Sequence, residues 1–249
     1  MARTLAGATA LEPGGPSALF DGRGPAPVYP LLAALDVLDY SEQTLWSNVV
    51  DELVIEPRTR LIGEAGRVES IEDSSYDALL ASHVIEHLAD PLGALAEWRR
   101  IVRRGGHILL VVPHREGTFD HRRPVTSLEH LRSDRRRQTG EDDLTHLSEV
   151  LEHHDLTRDP GAPSRKVFEQ RCRENASTRA MHHHVFDTLA VSEMCREAGL
   201  EVLALRPGLP HNIFCLCRIT DDSGQDGLND VKISHVLRDS PFPSDRAAA

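Results

Sequence analysis

Apolar and polar positions alternate along the chain as short apolar runs separated by polar turns. Runs of strand length lie at residues 28–35, 77–82 and 107–112, and a weaker run lies near residues 60–63. Continuous apolar runs of this length are typical of strands in a parallel sheet covered on both faces. We therefore predict an α/β fold with a parallel sheet, whose first short strand ends at the turn-rich residues 11–17.

One helix is predicted together with both of its ends. Asp90 is a favourable N-cap, Pro91 suits the first helical position, and the glycine pair at 105–106 ends the helix. The helix joins the apolar runs at 77–82 and 107–112 through short connections. Strand, helix and strand therefore form a βαβ unit.

The second half of the chain favours helices first and strands afterwards. Helical spacing of apolar residues recurs at 144–153, 164–175 and 188–198. Residues 200–205 and 212–219 predict two closing strands, joined by a Pro-Gly turn as a hairpin.

We expect one domain over residues 1–219, because no long Pro, Ser or Gly linker divides the chain. It contains a helical, His-rich insertion at about 114–186. Residues 220–249 are polar and without a repeat pattern, so they predict a flexible C-terminal tail.

The charge of the chain argues against a nucleic-acid partner. The formal net charge is −11, from 28 basic and 39 acidic side chains, whereas binding to a phosphate backbone needs a basic face. The one basic cluster, at residues 132–137, is followed by acidic residues and is interpreted as a solvated helix end.

Hydropathy and cysteine content predict a cytoplasmic protein without a membrane partner. The sequence has no apolar run of 18 residues and no apolar core of a signal peptide near its start. Its four cysteines are too few and too irregularly spaced for a disulfide framework. Cys215 and Cys217 point to one face of a strand, so buried free thiols are expected.

A glycine turn and a distant acid form the first candidate binding site. In Rossmann-like folds a Gly-rich turn follows the first strand, and an acid about 20 residues on holds a ribose. Gly14 and Gly15 supply such a turn, and Asp36 lies 21 residues past Gly15. By itself this pattern leaves an ordinary surface turn equally open.

The βαβ unit carries a more specific signal. Its first strand runs into "SHVIEHL" at 82–88, and its helix runs into Gly-Gly and the next strand. This resembles the middle of class I methyltransferases dependent on S-adenosylmethionine (SAM), which commonly show a strand, "HVLEH", a helix, "LKPGG" and a strand. "EPGGPS" at 12–17 resembles the first motif of a subgroup that has "EIGGPS" there, and the likeness extends over residues 10–218.

The resemblance implies a Rossmann-like, doubly wound fold. It has a mostly parallel seven-stranded sheet, helices on both faces and an antiparallel last strand. It also implies SAM as cofactor and S-adenosylhomocysteine as product. By the same resemblance, the methionine part of the cofactor is held by Glu12, Gly14, Gly15 and Ser17, and its ribose by Asp36. The adenine is contacted by Glu64 and Ala65. The remaining implied contacts, at and after the end of the fourth strand, are Ser82, His83 and His87.

Histidines and acids after the predicted fifth strand are candidates for the chemistry. Methyl transfer needs an in-line acceptor and, for a hydroxyl or ammonium group, removal of a proton, which suits histidine. The candidate catalytic residues are His114, Asp120, His121 and His183. No metal is predicted, because the adjacent histidines at 182–184 point in different directions and lack a further ligand at a defined spacing.

The sequence thus predicts methyl transfer from SAM to an O or N atom of a polar small molecule, such as a sugar, amino sugar or other metabolite. A homodimer is left open. The alternative is a weak or inactive relative that acts as a binding partner, suggested by Pro13 in the first motif and by the few residues before it. A nicotinamide-dependent oxidoreductase is disfavoured because G-x-G-x-x-G is absent.

Overall fold

A seven-stranded sheet forms the centre of the protein in a computed structural model that describes residues 1–44, 55–220 and 227–249. The strand order is β3-β2-β1-β4-β5-β7-β6. The strands are β1 (Thr9–Pro13), β2 (Ala34–Asp39), β3 (Thr59–Ile62), β4 (Tyr76–Ser82), β5 (Val102–Pro113), β6 (Leu200–Gly208) and β7 (Asn212–Ile219).

The sheet has one reversed strand. β1 to β5 pair in parallel, whereas β7 lies antiparallel to both β5 and β6. The register runs from His107 opposite Arg218 to Pro113 opposite Asn212. This confirms the predicted Rossmann-like, mostly parallel sheet, and it places the β6–β7 turn at the same edge as the carboxyl ends of the parallel strands.

Helices surround the sheet. They are α1 (Pro91–Ile101), α2 (Leu128–Arg137), α3 (Leu147–His153), α4 (Arg165–Arg173), α5 (Asn175–Thr178), α6 (Thr188–Glu197), α7 (Asp230–Arg238) and α8 (Pro243–Ala247). Buried Trp98 of α1 and Met194 of α6 pack on one face of the sheet. The N-terminal segment, with buried Leu5 and Phe20, packs on the other face.

The second strand starts later than the sequence predicts. The apolar run at 28–35 contains a 3₁₀ helix at Tyr29–Leu31, and β2 begins only at Ala34. Pro30 explains the difference, because its ring fixes φ and it has no N–H for a strand ladder. The strand therefore ends at Asp39 and not at Asp36.

The C-terminal segment differs from the predicted flexible tail, of which residues 221–226 lie outside the described part. α7 and α8 bury the apolar side chains of Ile233, Leu237 and Phe242, and Asp245 is only 1% exposed. A few apolar residues at helical spacing suffice to hold this otherwise polar segment against the fold.

Two further predictions concern the cysteines and the membrane. All four cysteines are buried and free, and Sγ of Cys215 lies 3.6 Å from Sγ of Cys217, which confirms the predicted buried thiols. Among the described residues, no helix is both long and apolar enough to cross a membrane.

Candidate active site

The carboxyl ends of β1 to β5 meet at one edge of the sheet, where ligands of open α/β folds bind. Gly14 follows β1, Tyr40 follows β2, Gly63 follows β3 and His83 follows β4. The predicted cofactor residues other than Asp36 and His87 lie at or directly beside these strand ends.

The turn after β1 requires its two glycines. Gly14 has a φ of +70°, and a Cβ there would lie 2.9 Å from Cγ2 of Val84. A Cβ on Gly15 would lie 2.4 Å from Cδ of Glu12. A larger residue at either position would displace Val84 or Glu12, and the exposed Gly14 leaves its backbone accessible to a ligand at the sheet edge.

Glu12 holds the turn from inside. Its buried carboxylate accepts hydrogen bonds from the Ser17 backbone N–H (3.1 Å) and from the Tyr29 hydroxyl (2.7 Å). Burial raises the pKa of Glu12 to about 8. Glu12 thus shapes the turn and has no face open to solvent.

Pro13 shortens the pairing of β1 with β4 but leaves its pairing with β2 intact. The Gly14 N–H donates to the Leu38 carbonyl of β2 (2.8 Å), so the N–H that Pro13 lacks would have pointed to β4 on the other side. Accordingly, β1 pairs with β2 as far as Pro13, whereas its pairing with β4 ends at Leu11. The motif keeps its geometry despite this departure.

The predicted ribose acid, Asp36, lies away from the edge. It is the third residue of β2, about 10 Å before the strand end. Its carboxylate accepts hydrogen bonds from Arg58 and from the Tyr76 hydroxyl (2.9 Å). Burial alone would raise the pKa of Asp36, but these two donors hold it below its usual range.

Asp39 occupies the position that the ribose acid was predicted to have. It is the last residue of β2, it is partly exposed, and its carboxylate accepts no hydrogen bond from the described residues. Desolvation raises its pKa. In the sequence, Asp39 is the second Asp of the "ALDVLD" run. Because the strand is predicted to begin too early, its end is predicted at Asp36 and not at Asp39.

An ion pair lies just after β3, where the sequence predicts the adenine contact. Glu64 binds Arg179, whose guanidinium lies 5.4 Å from the ring centroid of Tyr40. The neighbouring Ala65 presents its carbonyl to Nε1 of Trp98 (2.7 Å). The segment around Arg179 therefore crosses the edge next to β2 and β3.

His83 stands at the carboxyl end of β4 in the left-handed region, with a φ of +54°. Its Nε2 donates to Oδ1 of Asn212 (2.9 Å), and its ring is 5.4 Å from that of His211. Burial lowers the pKa of His83 to about 4. The preceding Ser82 lies 3.1 Å from the Ser17 hydroxyl, which joins this site to the glycine turn.

A buried acid-histidine cluster adjoins His83. Asp120 accepts a hydrogen bond from Nδ1 of His182 (2.5 Å), and the His182 ring packs against His87 at 4.5 Å. Glu86 is fully buried, and neither of its oxygens has a hydrogen-bond partner among the described residues. Its Oε1 lies 3.8 Å from Nδ1 of His83.

Of the predicted catalytic residues, the structure brings only Asp120 to this cluster. His114 is fully buried, donates from Nε2 to Asp245 (3.2 Å) and accepts the Glu116 N–H at Nδ1, so neither ring nitrogen can take a substrate proton. Nε2 of His121 donates to Oδ2 of Asp155 (2.9 Å). His114 is corrected from a catalytic to a structural candidate because both of its ring nitrogens are occupied, whereas only one ring nitrogen of His121 is held by Asp155.

His183 and His87 are also placed away from an open site. His183 is 1% exposed, and its Nε2 accepts a hydrogen bond from Asn175 (3.0 Å). Nδ1 of His87 donates to the Met181 carbonyl (3.3 Å). The sequence indicates His182 only as one of three adjacent histidines, and it gives no signal for Glu86 or Asn212 as site residues, since only the tertiary fold brings these segments beside His83.

Comparison with known families identifies the fold. A family profile described as a methyltransferase domain matches residues 24–110, which run from the segment after the glycine turn through most of β5. The matched residues support the resemblance to class I SAM-dependent methyltransferases that the sequence motifs carry. SAM is the cofactor that this resemblance implies.

Solved structures share the fold at low sequence identity. The putative methyltransferase of Haloferax volcanii, solved with the Trm112 methyltransferase activator, is 15% identical with a TM-score of 0.51, covering 87% of this chain and 84% of that one. A SAM-dependent methyltransferase from Methanosarcina mazei is 13% identical with a TM-score of 0.49, covering 87% and 94%. The first of these likenesses, with a TM-score above 0.5, concerns the fold alone.

One curated relative matches a short segment. An uncharacterized protein of transposon TN4556 from Streptomyces fradiae is 44% identical over 43 residues. The match spans 17% of this chain and 12% of the relative, and therefore says nothing about the substrate.

The residues present at the edge fit SAM. The exposed Gly14 has no side chain to keep a ligand from the backbone, as the methionine part of the cofactor requires. Asp39 offers an unpaired carboxylate for ribose hydroxyls, and Glu64 stands where an adenine contact is expected. The edge from β1 to β4 therefore fits the cofactor that the resemblance implies.

Proposed function

We propose that this methyltransferase transfers a methyl group to an O or N atom of a polar small molecule, with His83 as the group that receives the acceptor's proton. The supporting observation is the position of His83 at the end of β4, beside the glycine turn and with 30% of its side chain exposed. When bound, SAM supplies an electrophilic sulfonium methyl group.

The hydrogen bonds of His83 define its protonation. Since Nε2 donates to Asn212, Nδ1 carries the lone pair of a neutral ring. The low pKa of about 4 keeps the ring neutral at physiological pH. A neutral imidazole at this edge can accept a proton from a hydroxyl or an ammonium acceptor as its nucleophile forms.

The surroundings favour a polar acceptor. Imidazoles of His83, His211 and His182 and the carboxylates of Glu86 and Asp120 lie together at this end of the edge. Polar groups at a partly desolvated site select ligands that can pair with them, because an apolar ligand would leave them unsatisfied.

The test is SAM calorimetry together with turnover on a panel of hydroxyl and amine acceptors, followed by release of S-adenosylhomocysteine. We expect His83→Gln to keep SAM affinity within about threefold while kcat falls about 10²- to 10⁴-fold. His107→Gln, in the middle of β5 and six residues before its carboxyl end, is the matched control and should leave both unchanged.

The alternative role as a non-catalytic binding partner makes a different prediction. A wild-type protein that binds SAM but methylates no acceptor of the panel would support it. Unchanged kcat in His83→Gln would instead remove His83 from the reaction while leaving methyl transfer in place.

A further inference from the structure

Four metal-ligand side chains converge inside the insertion, outside the edge described above. They are His130 and Asp134 of α2, His146 before α3, and His184 before α6; we name them the three-histidine cluster. One ligand atom from each lies within 4.8 Å of those from the other three.

The distances suit a tetrahedral ion. Nε2 of His130 lies 3.1 Å from Nε2 of His146 and 3.1 Å from Oδ2 of Asp134. Nε2 of His184 lies 3.9 Å from the same oxygen. Zinc bonds of about 2.0–2.1 Å in a tetrahedron place neighbouring ligand atoms about 3.3 Å apart, within this range.

A buried carboxylate oxygen without a hydrogen bond lies in the cluster. Asp134 is 2% exposed, and its Oδ2 makes no hydrogen bond among the described residues, although it lies within ion-pair distance of the His130 ring. Its Oδ1 is fixed by Arg137 (2.6 Å) and Thr139 (3.3 Å). Such second contacts orient a carboxylate ligand.

Metal-free contacts account for the cluster less completely. Nε2 of His130 lies 3.1 Å from both His146 and Oδ2 of Asp134, and its single proton can serve only one of them, so the other stays unsatisfied without an ion. At His184 an ion would take the place of a contact of 3.3 Å from Nε2 to the Ala89 carbonyl. Because the His130 side chain is 37% exposed, the cluster is reached from solvent.

We propose that the three-histidine cluster binds one Zn²⁺ ion. Three imidazoles and one carboxylate suit zinc, whereas magnesium and calcium prefer oxygen ligands. The ion ties α2 and the segment before α3 to His184, and so fixes the histidine run whose His182 reaches the proposed acceptor site. The proposal stands independently of which acceptor is methylated.

The test is metal content and cobalt spectroscopy on the full chain. After dialysis against a chelator, calorimetric titration with Zn²⁺ should show one ion per chain. Co²⁺ should give the intense visible bands of a tetrahedral nitrogen and oxygen site. Asp134→Asn and His146→Gln should each weaken zinc binding more than the about 10- to 100-fold that loss of a second contact costs.

His235→Gln on exposed α7 is the matched control and should bind zinc like the wild type. Wild-type protein that is folded by circular dichroism and binds no zinc would overturn the proposal. So would zinc binding unchanged in Asp134→Asn and His146→Gln. A cobalt–thiolate charge-transfer band would place the ion at buried Cys195, Cys215 and Cys217 instead and would equally overturn it.

Discussion

At the scale of single residues, identical side chains take different tasks because their surroundings differ. The three adjacent histidines at 182–184 have three separate sets of partners. His182 contacts Asp120, His183 contacts Asn175, and His184 belongs to the three-histidine cluster. The sequence predicts that neighbouring side chains diverge, but the partners come from segments far away in the chain.

Glu12 makes stability depend on pH. Its folded pKa of about 8 exceeds the ordinary 4.5, so the folded state prefers the protonated carboxyl. This contribution is complete below pH 4.5 and is lost as pH rises towards 8. In urea unfolding, Glu12→Gln should therefore gain stability relative to wild type between pH 5 and 9, on the order of a few kcal/mol.

The control for this measurement is Glu69→Gln. Glu69 is exposed and pairs only with exposed Arg67, so its difference from wild type should stay constant over the same range. A Glu12→Gln protein whose stability difference from wild type is independent of pH would contradict the raised pKa.

Substitutions of Asp39 and Asp36 should have different effects: the first should weaken cofactor binding, and the second should lower stability. Asp39→Asn should raise the SAM dissociation constant about 10- to 100-fold, since charge-assisted hydrogen bonds to ribose are weakened. Asp36→Ala should lower the melting temperature, because it leaves Arg58 and Tyr76 without their acceptor, but should keep SAM affinity in the folded protein. Calorimetry and thermal unfolding distinguish the two, and the reverse pattern would restore Asp36 as the ribose acid.

At the scale of elements, the register of the strands decides which residues face the ligand. The βαβ unit from Tyr76 to Pro113 follows its prediction because cap, helix stripe and apolar runs all agree. β2 departs from its prediction because an apolar run cannot show where a strand begins when Pro30 interrupts it. That shift moves the acid at the strand end from residue 36 to residue 39.

The turn after β1 gives a prediction at this scale. Gly15→Ala should push the Glu12 carboxylate from its place, because the new Cβ would lie 2.4 Å from Cδ of Glu12, and SAM binding by calorimetry should be lost. Gly66→Ala is the control, since its Cβ would meet Ala94 at an ordinary 3.8 Å. Equal SAM affinity in the two variants would contradict the tight packing of this turn.

At the scale of the whole molecule, segments that are distant in the sequence pack together around the buried carboxylate of Asp245. Its carboxylate accepts hydrogen bonds from His114, from the Thr188 hydroxyl (2.6 Å) and from the Ser240 hydroxyl (2.5 Å). The C-terminal helices thereby cover the end of β5 and the start of α6. This is why His114 is closed to a substrate.

Asp245→Ala should destabilise the whole fold. It leaves several buried polar groups unpaired, which costs about 2–4 kcal/mol and should lower the melting temperature by roughly 5–15 °C. Asp239→Ala, at the exposed end of α7, should change it little. Equal melting temperatures in a calorimetric scan would show that α8 contributes nothing to the fold.

The sequence by itself determined the α/β class, the glycine turn and the βαβ unit, because these depend on local periodicity, capping and close backbone approach. Only the tertiary structure decided that Asp39 ends β2, that His83 meets Asn212, and that the C-terminal helices bury His114. The three-histidine cluster likewise exists only in the folded chain. Contacts between segments far apart in sequence are set by packing and by the burial of polar groups, which no local pattern records.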